Sequence, residues 1–221
     1  AADLLLGAQG TGSTISLTAA AANLTTTAST NASAVTTALD DAISSTAAFM
    51  SNSTITGGAG NDTLTISTDP TAAGATGTGS TTFTLATAGA GTGAVVSGVE
   101  RISLTLGNTA NALTMPNDAG LGVTNASSTA TAIVTLGTGL GQTFTGTGAG
   151  VQTVTLGGAG QSATGGTGAD QFAATRANAL GSSFTGGLGT DTLTLTAIGA
   201  DMSFGATAVS GGAVALSSIE T

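Results

Sequence analysis

The chain has 221 residues, 36 of them Gly and 46 Thr, with no Cys, His, Trp, Tyr or Lys and a formal net charge of −9. Two arginines beside nine Asp and two Glu cannot neutralise phosphates, which excludes nucleic acid and anionic membrane as partners. Without Cys there is no disulfide framework, and no apolar run approaches the roughly 18 residues of a membrane span.

Charged residues make up 6% of the chain, so its surface must be built from Thr, Ser, Gly and Asn. It is neither charge-dense nor apolar-poor, as a disordered chain would be. With His, Cys, Lys and Tyr absent, the usual catalytic bases and nucleophiles are missing, and no enzyme is expected. No basic segment followed by an apolar one opens the sequence, so an export signal is expected outside this window.

Short strands separated by Gly-rich turns are predicted along the whole chain. The first alternation of apolar and hydroxyl residues is Ile15–Leu17. Ala19–Ala28 and Ala34–Met50 follow, where the Val35, Leu39, Ile43 spacing admits helix as an alternative, diluted by Thr and Ser. Leu64–Ile66, Phe83–Leu85, Ile102–Leu106, Val154–Leu156 and Leu193–Leu195 then alternate with the period of a half-buried strand.

Sliding the chain against itself gives one strong match, at an offset of 129. Asp41–Thr68 aligns without a gap on Asp170–Ala197, sharing T-G-G-x-G-x-D-T-L-T. Downstream, Gly98-Val99-Glu100 corresponds to Ser218-Ile219-Glu220 at an offset of 120. Two units are drawn from this, 1–107 and 108–221, continuous with each other. The second breaks off at Thr221 where the first runs on into a strand, as expected of a piece of a longer array.

Three hexapeptides fit G-G-x-G-x-D: Gly57–Asp62, Gly165–Asp170 and Gly186–Asp191. Each precedes a strand with an apolar residue two positions after the Asp, namely Leu64, Phe172 and Leu193. Glycines let a tight turn reach left-handed conformations and aim carbonyls at one point. The Asp adds an anionic oxygen, and Ca2+ takes six to eight oxygens in flexible geometry. The plain alternative is a turn held by an Asx hydrogen bond. Three copies in an anionic chain favour the ion. Gly157–Ser162 keeps the turn but puts Ser where Asp is expected, and no metal is assigned there.

This nonapeptide resembles the calcium-binding repeat of RTX proteins, secreted by the type I route. The resemblance implies an all-β chain, a parallel β-solenoid with Ca2+ between Gly-rich turns one coil, about eighteen residues, apart. Asp170 and Asp191 are 21 apart, so three residues must bulge out, near Arg176–Gly181. It implies one site from Gly166, Gly168 and Asp170 facing Gly186, Leu188 and Asp191. A degenerate one would use Thr37, Leu39 and Asp41 against Gly57, Ala59 and Asp62. Sparse motifs, Thr-rich strands and the G-V-E signature look most like bacterial S-layer proteins of the Caulobacter type and repetitive adhesins. The function this implies is structural: a segment on the bacterial cell surface that assembles with copies of itself into a lattice or fibre, with cell-surface polysaccharide as a further partner. The alternative is an adhesin stalk. Ice binding is disfavoured, because the Thr-x-Thr pairs at Thr63/Thr65, Thr143/Thr145 and Thr192/Thr194 fall at irregular intervals.

Overall fold

The computed structural model describes residues 2–6, 14–16, 22–26, 33–35, 40–46, 54–67, 81–86, 94–105, 111–127, 129–196, 203–205 and 213–219. Among these, 21 strands of three to six residues stack into two parallel sheets. Successive strands alternate between the sheets, except that Thr81–Ala86 and Ala94–Ser97 both lie in one and Ser203–Gly205 and Ala213–Ser217 both in the other. The fold is an all-β solenoid.

Sheet I has 11 strands. Its central run in space is Ala42–Thr46, Thr63–Ser67, Arg101–Thr105, Gly122–Asn125, Thr143–Gly146, Ser162–Thr164 and Ser183–Thr185. Sheet II has ten, including Thr54–Thr56, Ala132–Thr135, Gln152–Thr155, Gln171–Thr175 and Thr192–Thr196. Pairing runs unbroken past residues 107 and 108: Arg101–Thr105 pairs with Gly122–Asn125 in register.

Strands occupy Ala22–Thr26, Ser33–Val35 and Ala42–Thr46, which overturns the helical alternative for those stretches. Local spacing admitted a helix, but in a solenoid each short strand gains a ladder on both sides. The sole helix among the described residues is the single turn Arg176–Ala179, capped by Thr175, whose Oγ1 accepts the Asn178 N–H. It lies where the coil from Asp170 to Asp191 takes 21 residues, against 18 from Gln152 to Asp170. The predicted bulge is this turn, with Ala179 buried beneath it.

The inward face of sheet I stacks Ile43, Leu64, Ile102, Val123, Phe144, Ala163 and Phe184 in one column. All are buried. Ala163 between two Phe side chains leaves the width each ring needs, the alternation of large and small that close packing requires. Phe184 meets Phe172 of sheet II edge to face, 5.9 Å between centroids at 65°.

The neighbouring outward column reads Ser44, Thr65, Ser103, Thr124, Thr145, Thr164 and Thr185. Its hydroxyls lie in register although the residues between them vary in number, because described surplus residues sit outside this sheet, in the turn Arg176–Ala179 and in the additional sheet II strand Thr81–Ala86. Irregular Thr intervals in sequence therefore do not mean an irregular face. That premise of the argument against ice binding does not hold.

Removing one ring tests the core. Phe184→Ala should lower unfolding free energy by about 3–5 kcal/mol through lost transfer and cavity terms. Urea denaturation at fixed calcium measures it, and a loss under about 1 kcal/mol would contradict this packing.

Candidate metal centre

Every coil of a solenoid must turn two corners, and the residue just before each strand sits at the inner edge of a corner. On the corner entering sheet I the register stacks Asp41, Asp62, Glu100, Leu121, Gln142, Gln161 and Ser182. On the corner entering sheet II it stacks Gln152, Asp170 and Asp191. Asp41, Asp62, Asp170 and Asp191 are all between 0% and 3% exposed. These four Asp residues are buried at the corners.

The three motifs do not share a corner. Gly57–Asp62 enters sheet I, whereas Gly165–Asp170 and Gly186–Asp191 enter sheet II. The reason lies between the copies. Thr81–Ala86 and Ala94–Ser97 follow one another within sheet II, so the alternation slips by one strand.

Acidic corner side chains bond the coil before them. Asp62 Oδ1 accepts the Asp41 N–H at 2.8 Å, and Glu100 Oε2 accepts the Asp62 N–H at 2.7 Å. Asp170 Oδ1 accepts from Gln152 N and Asp191 Oδ1 from Asp170 N, both at 2.7 Å. Exposed Asp40 differs, its Oδ1 accepting the Asn61 N–H of the coil after it. Backbone bonds run alongside, among them Thr63 N to Asp41 O and Thr192 N to Asp170 O, 2.9 Å each.

The predicted ligands fall into two groups. Gly57, Gly165 and Gly186 are buried, and each packs its Cα against the Oδ2 of its own Asp and a carbonyl of the coil above: Gly98 O, Gly186 O and Ser218 O respectively. Carboxylate and carbonyl oxygens thus converge at the first glycine of every motif. The Gly166 N–H donates to Asp170 Oδ2, but its carbonyl accepts from Leu188 N, and the Gly168 carbonyl faces the Gly189 Cα. Those two carbonyls run up the stack rather than toward the carboxylates. Ala59 and the Leu188 side chain are exposed. Thr37 and Leu39 lie outside the described residues, as does Glu220.

Among the described residues, no three acidic side chains group closely enough to hold a metal by themselves. Carbonyl oxygens must complete any site. The donor set is all oxygen and suits a hard cation such as Ca2+. Asp62 supplies the sharper sign: its Oδ2 is buried with no hydrogen-bond partner, the arrangement a bound cation would resolve.

Sequence reading missed the glutamines. Gly157–Ser162 was aligned with Ser162 at the Asp place, but Ser162 is a strand residue paired with Thr143 and Ser183. The turn is one residue shorter, and Gln161 takes the corner. Gln161 Nε2 donates to Gly137 O and Gly139 O of the preceding turn, while its Oε1 accepts from Gly157 N and Gly158 N. Gln142 does the same with Pro116 O, Asp118 O and Gly137 N. A Gln directly before a strand and after a Gly-rich turn was the available signal.

No protein-family model, no curated protein and no solved structure matches the chain.

Burial, followed by the charges of Asp41, Glu100 and Asp40, raises the Asp62 carboxyl above the ordinary 3.8 despite the bond from Asp41 N. Burial raises Asp170 too, with Asp191 adding to it against the bonds from Gln152 and Gly166. A carboxyl raised in the folded state holds its proton more tightly there, so its stabilisation is present below 3.8 and lost as pH rises through the folded value. In chelator, the melting temperature should therefore fall as pH climbs from below that value through the carboxylate range. Melts that climb with pH over that window would contradict the assignment.

Proposed function

We propose that the chain is a structural segment of an extracellular bacterial surface protein. Its corners are stapled by calcium, and it assembles with copies of itself into a lattice or fibre. One observation carries the reading: buried carboxylates of successive coils are stacked in a chain with two arginines and no lysine. Calcium is the counter-charge that such a chain lacks. The RTX-like turns, the type I secretion they suggest and an S-layer or adhesin setting belong to the same proposal, with polysaccharide as a surface partner. Among the described residues no helix is long and apolar enough to cross a membrane.

The ion supplies positive charge where acidic corners of successive coils meet. The protein supplies oxygens fixed by sheet register, so binding and coil stacking are one event. An ion that binds only the folded chain adds about 2.7 kcal/mol at a hundredfold excess over Kd. Flat hydroxyl faces of low charge then let copies approach with little electrostatic opposition.

Far-UV circular dichroism should gain β signal on calcium addition and lose it in chelator. Sedimentation across a calcium series should show ordered multimers above a threshold, reversed by chelation and indifferent to reductant. An unchanged spectrum after exhaustive chelation would overturn the stapling. A calcium-loaded chain that stays monomeric at high concentration would turn the reading to an adhesin stalk.

The in-register hydroxyl column favours one rival, binding to ice through a grid spaced about 4.8 Å between strands and about 6.7 Å along them. Thermal hysteresis decides it: a freezing-point gap with calcium present would favour the rival, and none would remove it.

A further inference from the structure

The two copies of the sequence repeat share more than the hexapeptide. In each, a short turn lies above it: Ser97-Gly98-Val99-Glu100 over Gly57–Asp62, and Ser217-Ser218 over Gly186–Asp191. Gly57 N donates to Ser97 O and Gly186 N to Ser217 O, at 2.9 Å in both. Gly57 packs against Gly98 O and Gly186 against Ser218 O. The second and third glycines are left-handed in both, Gly58 and Gly60 at φ 104° and 136°, Gly187 and Gly189 at 105° and 116°. In the remaining motif Gly166 and Gly168 are not. The residue donating the carbonyl is left-handed as well, Gly98 at φ 60° and Ser218 at φ 50°. Ser218 is the one non-glycine so placed among the described residues. Backbone strain of this kind persists where the surroundings demand it, typically at ligand clamps.

The lower copy shows what such a clamp would hold. Asp62 is 0% exposed and its Oδ2 has no hydrogen-bond partner. That oxygen and Gly98 O converge on the Gly57 Cα, on the side where any other residue would carry a Cβ. Glu100 closes the group from the coil above, its Oε2 on the Asp62 N–H. The corner offers Asp62 and Glu100 carboxylates and a carbonyl, with no side-chain donor between them. Two coils further on, the same corner carries Gln142 and then Gln161, whose amide nitrogens each bridge two carbonyls of the preceding turn. An amide donor stands there in the role that a cation must fill where the corner is acidic.

We infer that a divalent cation of the calcium type is held between the Asp62 and Glu100 corners with the Gly98 carbonyl. This pairs the Gly57–Asp62 turn with the acidic Gly98-Val99-Glu100 turn above it, rather than with the Asp41 turn below. It rests on the calcium reading of the corners.

Glu100→Gln tests it. The amide oxygen still accepts the Asp62 N–H, and its nitrogen adds a donor of the Gln161 kind. Calorimetric titration of the variant with CaCl2 should show one ion fewer per chain than wild type, and in chelator the variant should melt higher. Asp41→Asn should keep the wild-type stoichiometry. Hydrogen exchange of the wild-type chain with and without CaCl2 gives a reading that needs no variant: 57–62 and 97–100 should slow together. A full complement of ions in Glu100→Gln, or exchange at 97–100 indifferent to calcium, would overturn the site. If Asp170→Asn then loses an ion while Glu100→Gln does not, the stapled solenoid stands and this site alone falls. A wild-type chain that binds no calcium would remove both.

Discussion

The corner hydrogen bond, from the backbone N–H of one coil to a side-chain oxygen of the next, is the constraint on which the rest of this solenoid depends. Within a strand, parallel ladders satisfy the backbone. At a corner the chain leaves the ladder, and an N–H buried there needs another acceptor. Asp62, Glu100, Asp170, Asp191 and Ser182 each provide one to the coil before. Because the bond joins neighbouring coils, it also fixes register: a slip by one residue would bring strand side chains to the corner and hydroxyls to the core. The inward Phe–Ala–Phe column and the outward hydroxyl column both follow from corners held in step.

That need is met in two chemical ways with opposite consequences. A Gln carries donor and acceptor, so Gln142 and Gln161 satisfy N–H groups of a turn and carbonyls of the turn before it at once. An ionised carboxylate only accepts. Stacked Asp and Glu satisfy N–H groups but leave carbonyls and one another's charge unanswered, and burial amplifies the cost. Asp62 is where this becomes visible, through an orphaned oxygen and a raised carboxyl. The described corners thus divide into a middle served by Gln amides and flanks lined by carboxylates. Alternation of that kind would let calcium govern some coils while others stay formed without it.

How much of this was legible in the sequence varied with the range of the interaction. Alternation at Leu64–Ile66 and Val154–Leu156 identified strands, since period two is a local property. The glycines and Asp of the three hexapeptides marked corners for the same reason. The bulge at Arg176–Gly181 followed from residue counting against a fixed coil. What depended on neighbours in space was hidden. Nothing local told that Gly57–Asp62 and Gly165–Asp170 lie on opposite corners, because the slip arises in distant strands. Ser162 looked like the Asp equivalent only because turn length was taken as constant. The left-handed Ser218 could not be seen from composition at all.

The Thr-rich faces show the same limit from the other direction. Thr65, Ser103, Thr124 and Thr145 are separated by unequal stretches of sequence, yet occupy consecutive rungs. A solenoid tolerates this because loop closure costs little with added length, roughly 0.6 kcal/mol per doubling, and described surplus residues sit outside sheet I, as in Arg176–Ala179 and Thr81–Ala86. The face of such a chain depends on what arrives at each rung, not on the interval between rungs. The hydroxyl column and the acidic corners are both kept in this way, through coils that differ in length from 18 residues between Gln152 and Asp170 to 38 between Asp62 and Glu100. A site split between Asp62 and Glu100 is thus as adjacent in space as one split between Asp170 and Asp191. Sequence distance is a poor guide to which carboxylates share an ion.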